Sequence, residues 1–314
     1  MARPLQPDAA DTARSQPLHD GGRLLRRRLL QGGIALAGAT FGGASPLAGA
    51  QGSDSAALPI FDAHQHYSHD AWERIPPKEA VSLMRQAGLR RAMVSSSSDD
   101  GTQKLHAEAP DLVLPVLRPY RTRNEIGTWV RDESVVAHLE ARLARFRYVA
   151  IGEYHVSGED ADLPVVRRVV QLARERRLAL HSHSDADAVE RQFRQDPAAR
   201  ILWAHAGFDA PANVRAMLRR HRNLWCDLAF RSDHALVDGQ RGRVEPAWRE
   251  AFLEFPDRFL VGTDTFTPER WFYVGEHARW SRLWLADLPR DVAEAIAWRN
   301  GERLFAQAWS AGQR

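Results

Sequence analysis

The chain has 314 residues, 44% of them hydrophobic, enough to bury the core of one large domain. Its formal charge of +3 resides in the first fifty residues, where Arg3, Arg14, Arg23, Arg26, Arg27 and Arg28 face only Asp8, Asp11 and Asp20. Six minus three is the whole excess, so the remainder is neutral, the high pI gives no support for nucleic-acid binding, and the single Cys226 excludes an internal disulfide.

The first element is a leader. Arg26, Arg27 and Arg28 precede Leu29 and Leu30, a mildly apolar Gly- and Ala-rich stretch follows, and the segment closes on Ala48-Gly49-Ala50. This order is that of a twin-arginine export signal over residues 1–50, with the mature domain beginning near Gln51. Gly32, Gly33, Gly38, Gly42, Gly43 and Pro46 suit the segment poorly to spanning a bilayer. The expected location is periplasmic or secreted. Expected partners are transient export machinery and a small-molecule substrate, with no stable membrane insertion after cleavage.

From Pro59 onward, short apolar runs alternate with amphipathic ones. Strands are predicted at Ile60 to His66, Arg91 to Ser95, Leu112 to Leu117, Tyr148 to His155, Leu178 to His183, Ile201 to His205, Leu224 to Phe230 and Phe259 to Asp264. Helices are predicted between them, for example Lys78 to Gln86, Val135 to Ala144, Val165 to Arg176, Ala188 to Gln195 and Ala212 to His221. Eight strand-helix units in about 250 residues predict a single α/β domain, a closed (β/α)8 TIM barrel over 51–314. The main rival, an open doubly wound sheet, lacks a Gly-rich phosphate loop after the first strand.

The strand ends carry the chemistry. Asp62, His64 and His66 alternate and so share one strand face, at the end where barrel active sites are built. Gly152-Glu153-Tyr154-His155, His181-Ser182-His183, Trp203-Ala204-His205-Ala206-Gly207 and Gly262-Thr263-Asp264 close four other strands. Imidazole with carboxylate is a donor set that Zn²⁺ and similar divalent ions prefer, and recurrence over five strands argues against coincidence.

With these motifs in this order, the sequence resembles the amidohydrolase superfamily, in particular its amidohydrolase-related (amidohydrolase 2) branch of barrel metal hydrolases and decarboxylases. The resemblance runs from Phe61 to Phe305 and includes Asn300 to Phe305, similar to the branch's Asn-x-x-Arg-Leu-Phe ending. It implies His64 and His66 as the first ligand pair, His205 as the strand-six histidine and Asp264 as the strand-eight aspartate. His181 and His183 have equal parity. His183 is favoured as the strand-five ligand because it lies nearer the mouth, leaving His181 as a packed residue or a substrate contact.

On strand four the bridging lysine of many binuclear relatives has no counterpart, since Lys78 and Lys104 both lie elsewhere. Glu153 matches the bridging glutamate of others, against the alternative that it pairs with a barrel arginine, and one or two ions, most simply zinc, are expected. A divalent ion lowers the pKa of a water it binds to about 7. Asp264 is then the expected base, His205 a second-metal ligand or oxyanion donor, and Asp62 a support for a ligand histidine. Arg118, Tyr120, His155 and Arg231 are expected around the substrate, the arginines being suited to a carboxylate or phosphate. Trp271, Phe272 and Tyr273 follow strand eight as pocket walls or core. The leading expectation is hydrolysis of an ester, lactone, amide or phosphoester. Metal-dependent decarboxylation and non-catalytic periplasmic metal binding are the alternatives, and a nuclease role is disfavoured by the neutral mature domain.

Overall fold

A computed structural model describes residues 57–231, 242–306 and 309–310 of the chain, so the leader lies outside the described residues. Strands and helices alternate: β1 Ile60–Gln65, α1 His69–Trp72, α2 Pro77–Gln86, β2 Leu89–Ser95, α3 Asp99–Glu108, β3 Val113–Leu117, α4 Ser134–Arg145, β4 Ala150–His155 and α5 Pro164–Arg176. The second half continues with β5 Ala179–His183, α6 Ala186–Gln195, β6 Ile201–Trp203, α7 Pro211–Arg220, β7 Leu224–Asp227, α8 Pro246–Glu254, β8 Phe259–Leu260, α9 Val274–Leu285 and α10 Arg290–Glu294.

The local sequence accounts for these elements. Proline opens α2, α5, α7 and α8, where its fixed φ suits a first turn and its missing N–H costs nothing. Asp185 caps α6 by accepting from the Ala188 amide at 2.8 Å. Along α5, Val165, Val166, Val169, Val170, Leu172 and Ala173 are buried, while Arg167 and Arg168 face outward, so burial of one stripe holds the helix on the sheet.

All eight strands pair in sequence order and in parallel. β1 and the end of β8 then meet: Asp62 bridges Val261, the Ala63 amide donates to Val261 O at 2.8 Å, and the Asp264 amide donates to His64 O at 2.7 Å. The expected (β/α)8 barrel is therefore the fold. Inside it, Phe61, Met93, Leu114, Val116, Leu202 and Leu260 pack with Phe305 and Trp309 of the C-terminal segment. Phe61 and Phe305 stack with ring centres 6.2 Å apart, and Gly301 leaves room for the Phe61 ring, which a Cβ there would meet at 2.2 Å.

Three strands end two or more residues earlier than expected. β6 stops at Trp203 because His205, Ala206, Gly207 and Phe208 have φ of 55°, 50°, 65° and 51°, a left-handed turn that leaves the ladder. β7 stops at Asp227 and β8 at Leu260, with Phe230 and Asp264 also left-handed. At the other end of β4, pairing begins at Ala150, two residues after the expected Tyr148. Among the described residues no helix is long and apolar enough to cross a membrane.

Candidate metal centre

At the C-terminal ends of the strands, two imidazoles are held in one tautomer by what lies behind them. His66 Nδ1 is 2.6 Å from Ser95 O, a pure acceptor, so Nδ1 carries the proton and Nε2 a lone pair. His64 Nδ1 is 3.2 Å from Asp227 Oδ2, which again leaves Nε2 turned inward. The two Nε2 atoms face each other at 3.1 Å.

Two carboxylates complete the cluster. Glu153 Oε2 lies 3.2 Å from His66 Nε2 and 3.5 Å from His64 Nε2. Asp264 Oδ1 lies 3.3 Å and 3.8 Å from the same two nitrogens, yet it is buried and accepts no hydrogen bond. His205 donates from Nδ1 to Ala229 O at 3.0 Å and turns Nε2 inward, 3.8 Å from Glu153 Oε1 and 3.9 Å from Asp264 Oδ2.

The two strand-five histidines separate by depth. His183, at the end of β5, donates from Nδ1 to Glu153 Oε1 at 2.7 Å and is partly exposed at the mouth. His181 is buried below it, with Nε2 2.8 Å from Asp227 Oδ2. His155 stacks on His183 with ring centres 3.9 Å apart, and its backbone amide donates to the Tyr120 hydroxyl at 2.6 Å.

The two arginines expected at the mouth differ. Arg118 reaches the cluster and pairs with Glu153, Nη2 to Oε2 at 2.9 Å, while its Nε donates to the Glu153 carbonyl. The guanidinium of Arg231 instead lies over the Trp248 ring and donates to Asp209 O at 2.6 Å, apart from the histidines. Of the aromatic residues after β8, Trp271 is buried, whereas Phe272 and Tyr273 are exposed.

Asp62 does not share a face with the rings. Register irregularities between Ile60 and Phe61 and between Asp62 and Gln65 break the two-residue alternation of β1. Its carboxylate accepts instead from the His64 amide at 3.1 Å, the Thr263 hydroxyl at 2.6 Å and the Gln65 amide group at 2.8 Å. Its support of His64 therefore acts through the backbone. Burial pushes the Asp62 carboxyl up to about 6 despite these bonds.

Asp227 was absent from the sequence expectations. It is fully buried, takes the His64 and His181 rings on Oδ2, and on Oδ1 accepts from the His205 and Ala229 amides, each at 3.1 Å. The available signal was an aspartate closing the apolar run Leu224 to Asp227 at the same strand end as the other polar residues.

Electrostatics follow from this crowding. Burial alone would lower His64, but Asp264, Asp227 and Glu153 together raise it well above the usual histidine range. Burial alone would raise Asp264 and Glu153, but the neighbouring imidazoles, His64 foremost, lower both. All three carboxylates around the rings are thus ionised near neutrality, against one buried guanidinium, Arg118.

A family model described as Amidohydrolase matches residues 61–307 of the chain. The chain belongs to the amidohydrolase family. It is an enzyme of the hydrolase kind, and the family's chemistry is in general metal-dependent. No curated protein matches it. Among solved structures it is similar to an uncharacterized TIM-barrel protein from Bordetella bronchiseptica, at 16% identity and TM-score 0.57, over 80% of this chain and 100% of that one. A protein from Agrobacterium tumefaciens matches at 18% identity and TM-score 0.50, over 79% and 95%. A structure from Pseudomonas putida described as a candidate 2-pyrone-4,6-dicarboxylic acid hydrolase matches at 13% and 0.51, over 79% and 98%. At these identities the likeness establishes the barrel.

In this amidohydrolase the donor set fits a divalent ion. Three ligand groupings lie with their donor atoms within 4.8 Å of one another: His64, His66 and Glu153; His64, His205 and Asp227; and Glu153, His155 and His183. Three ionised carboxylates less one guanidinium, once an ion displaces the proton that the metal-free cluster holds on His64, leave about two negative charges, the complement of a divalent cation. The orphaned Asp264 Oδ1 beside two inward lone pairs is the observation such an ion would account for.

Proposed function

We propose that this amidohydrolase cleaves an ester, lactone, amide or phosphoester of a small, anionic substrate, using a divalent ion, zinc by donor chemistry. The ion would be held by His64, His66, Glu153 and Asp264, with His205 and His183 as further ligands if a second is bound. The single observation that carries this reading is the convergence of the two Nε2 atoms, Glu153 Oε2 and the orphaned Asp264 Oδ1. When bound, such an ion makes water nucleophilic at neutral pH and polarises the electrophile.

The chain's own residues supply the rest. Asp264, held ionised, takes the proton of the attacking water on a carboxylate oxygen, and Arg270 fixes its backbone by donating to Asp264 O and, at 2.7 Å, to Thr263 O. His205 Nε2 faces the same space and can donate to the developing oxyanion once protonated. The stacked His155 and His183 stand at the mouth, where a leaving group departs, and burial lowers His155 so that it can act neutral. Arg118, committed to Glu153, serves the substrate's charge only when an ion relieves it of that carboxylate.

The test joins metal analysis to turnover. Purified protein should contain divalent metal, and a screen of the four ester-like classes should find a substrate. Asp264→Asn should then lower turnover by at least about 100-fold, the usual scale for a lost general base, where metal is retained. Near-normal turnover with metal bound would overturn the assignment of the base, and wild-type protein free of metal yet fully active would overturn the reading as a whole. The twin-arginine signal and periplasmic destination are likewise proposed, resting on residues 1–50.

A further inference from the structure

The barrel's other end carries an unrelated collection of charge. A cavity of about 940 Å³ opens between the C-terminal ends of α4 and α5, the starts of β4, β5 and β6, and the C-terminal segment. Arg147, Arg174, Arg176, Arg177 and Arg200 all line it, against one carboxylate, Asp196.

Two arginines earlier on α5 are matched. Arg167 and Arg168 pair with Asp162 and with Glu140 and Glu175. None of the five cavity arginines has a carboxylate partner among the described residues. Arg147, Arg176 and Arg200 donate only to the carbonyls of Trp309, Leu143 and Arg177. Arg200 is half-buried, and burial pulls its guanidinium below the ordinary value.

Helix ends do not account for the arginines. The C-termini of α4 and α5 supply about half a negative charge each, so with Asp196 about three of the five positive charges stay unmatched. Apolar side chains share the wall, Phe146, Phe305 and Trp309, and Arg147 lies over the Trp309 ring at 4.6 Å. The volume lies within the range of small-molecule sites.

We propose that this cavity is a second ligand site, remote from the metal centre, for a multiply charged organic anion with an aromatic or apolar body. Guanidinium forks recognise the anionic groups in bidentate fashion, and the aromatic wall takes the body. The positive charges left unmatched among the five arginines gain counter-charges on binding, which favours polyanions over single charges.

The probe is pyrene tetrasulfonate, a fluorescent aromatic tetra-anion that chelates metals poorly, titrated into the full protein in low-salt, phosphate-free buffer. One-to-one saturable binding is expected. Arg174→Glu with Arg177→Glu should weaken it at least about tenfold, as for loss of charge-assisted contacts. Arg279→Glu with Arg290→Glu makes the same change in net charge on exposed arginines outside the cavity and should stay within about twofold. Stripping metal with a chelator should leave the affinity unchanged. Should the first double variant fail to fold, Arg174→Gln should still weaken binding severalfold. Absence of saturable binding, equal weakening by the two double variants, or loss of binding on chelation would each overturn the site.

Discussion

A single oxygen, Oδ2 of Asp227, lies 2.8 Å from His181 Nε2 and 3.2 Å from His64 Nδ1, so one buried carboxylate orients two imidazoles. Behind a metal ligand, such a partner fixes the tautomer and raises the basicity of the inward nitrogen. Asp227→Asn should therefore weaken metal affinity about 10- to 100-fold while leaving the barrel folded. Chelator competition with circular dichroism as the folding control measures it, and an unchanged affinity would remove Asp227 from this role.

Arg118 and Glu153 form a buried pair at 2.9 Å in the same cluster. Removing one partner of such a pair typically costs about 3–5 kcal/mol because a charge is left uncompensated. Arg118→Met should show that loss in chelator-treated protein, and much less of it with a divalent ion added, since the ion takes over the compensation of Glu153. Denaturant unfolding under both conditions decides: an equal loss in each would mean that no ion reaches Glu153.

A second buried pair lies outside the ligand cluster. Asp99 Oδ2 accepts from the Tyr148 hydroxyl at 2.6 Å and from Arg142 Nε at 2.7 Å. Burial raises the Asp99 carboxyl, and Tyr148 and Arg142 only partly offset it. The folded protein thus holds this proton more tightly than the unfolded chain, and the stability it contributes falls as pH rises through the folded value. Arg142→Met removes the offset. Its cost should be smallest at acidic pH, where the carboxyl is protonated, and grow as pH rises, approaching about 3–5 kcal/mol once the carboxylate is ionised. A pH-independent cost would contradict this account.

The proposed export rests on Arg26 and Arg27. Replacing both with Lys should trap uncleaved precursor in the cytoplasm, as a twin-arginine signal requires both guanidinium groups. Cell fractionation with an intact-mass measurement follows it, and normal periplasmic accumulation would sink the proposal.

The barrel was legible because its strands are apolar runs ending in polar punctuation, and the rings of His64 and His66 were legible from their spacing. Three things were not. Asp227 stands in a strand without a neighbouring histidine, so nothing local set it apart from a rim aspartate. His181 and His183 have equal parity, and only depth along β5 tells one from the other. The early end of β6 comes from a left-handed turn at His205, Ala206, Gly207 and Phe208, in which Gly207 alone carries a glycine signal, and left-handed Phe230 and Asp264, with no such signal, follow the early ends of β7 and β8.

The ring closes where the ligands stand. Asp264 enters the cluster through its amide bond to His64 O, and Thr263 ties to Asp62 beside it, so the outermost strands of the sheet are clasped at the donor atoms themselves. A partly folded chain, with β8 not yet docked, has His64 and His66 but no aspartate opposite them. An ion held as proposed would favour the closed topology over every open one, and so act as a latch on folding as well as a reagent. Under the proposed twin-arginine export, in which the chain would cross a membrane already folded, the same latch would mark which molecules are ready to travel.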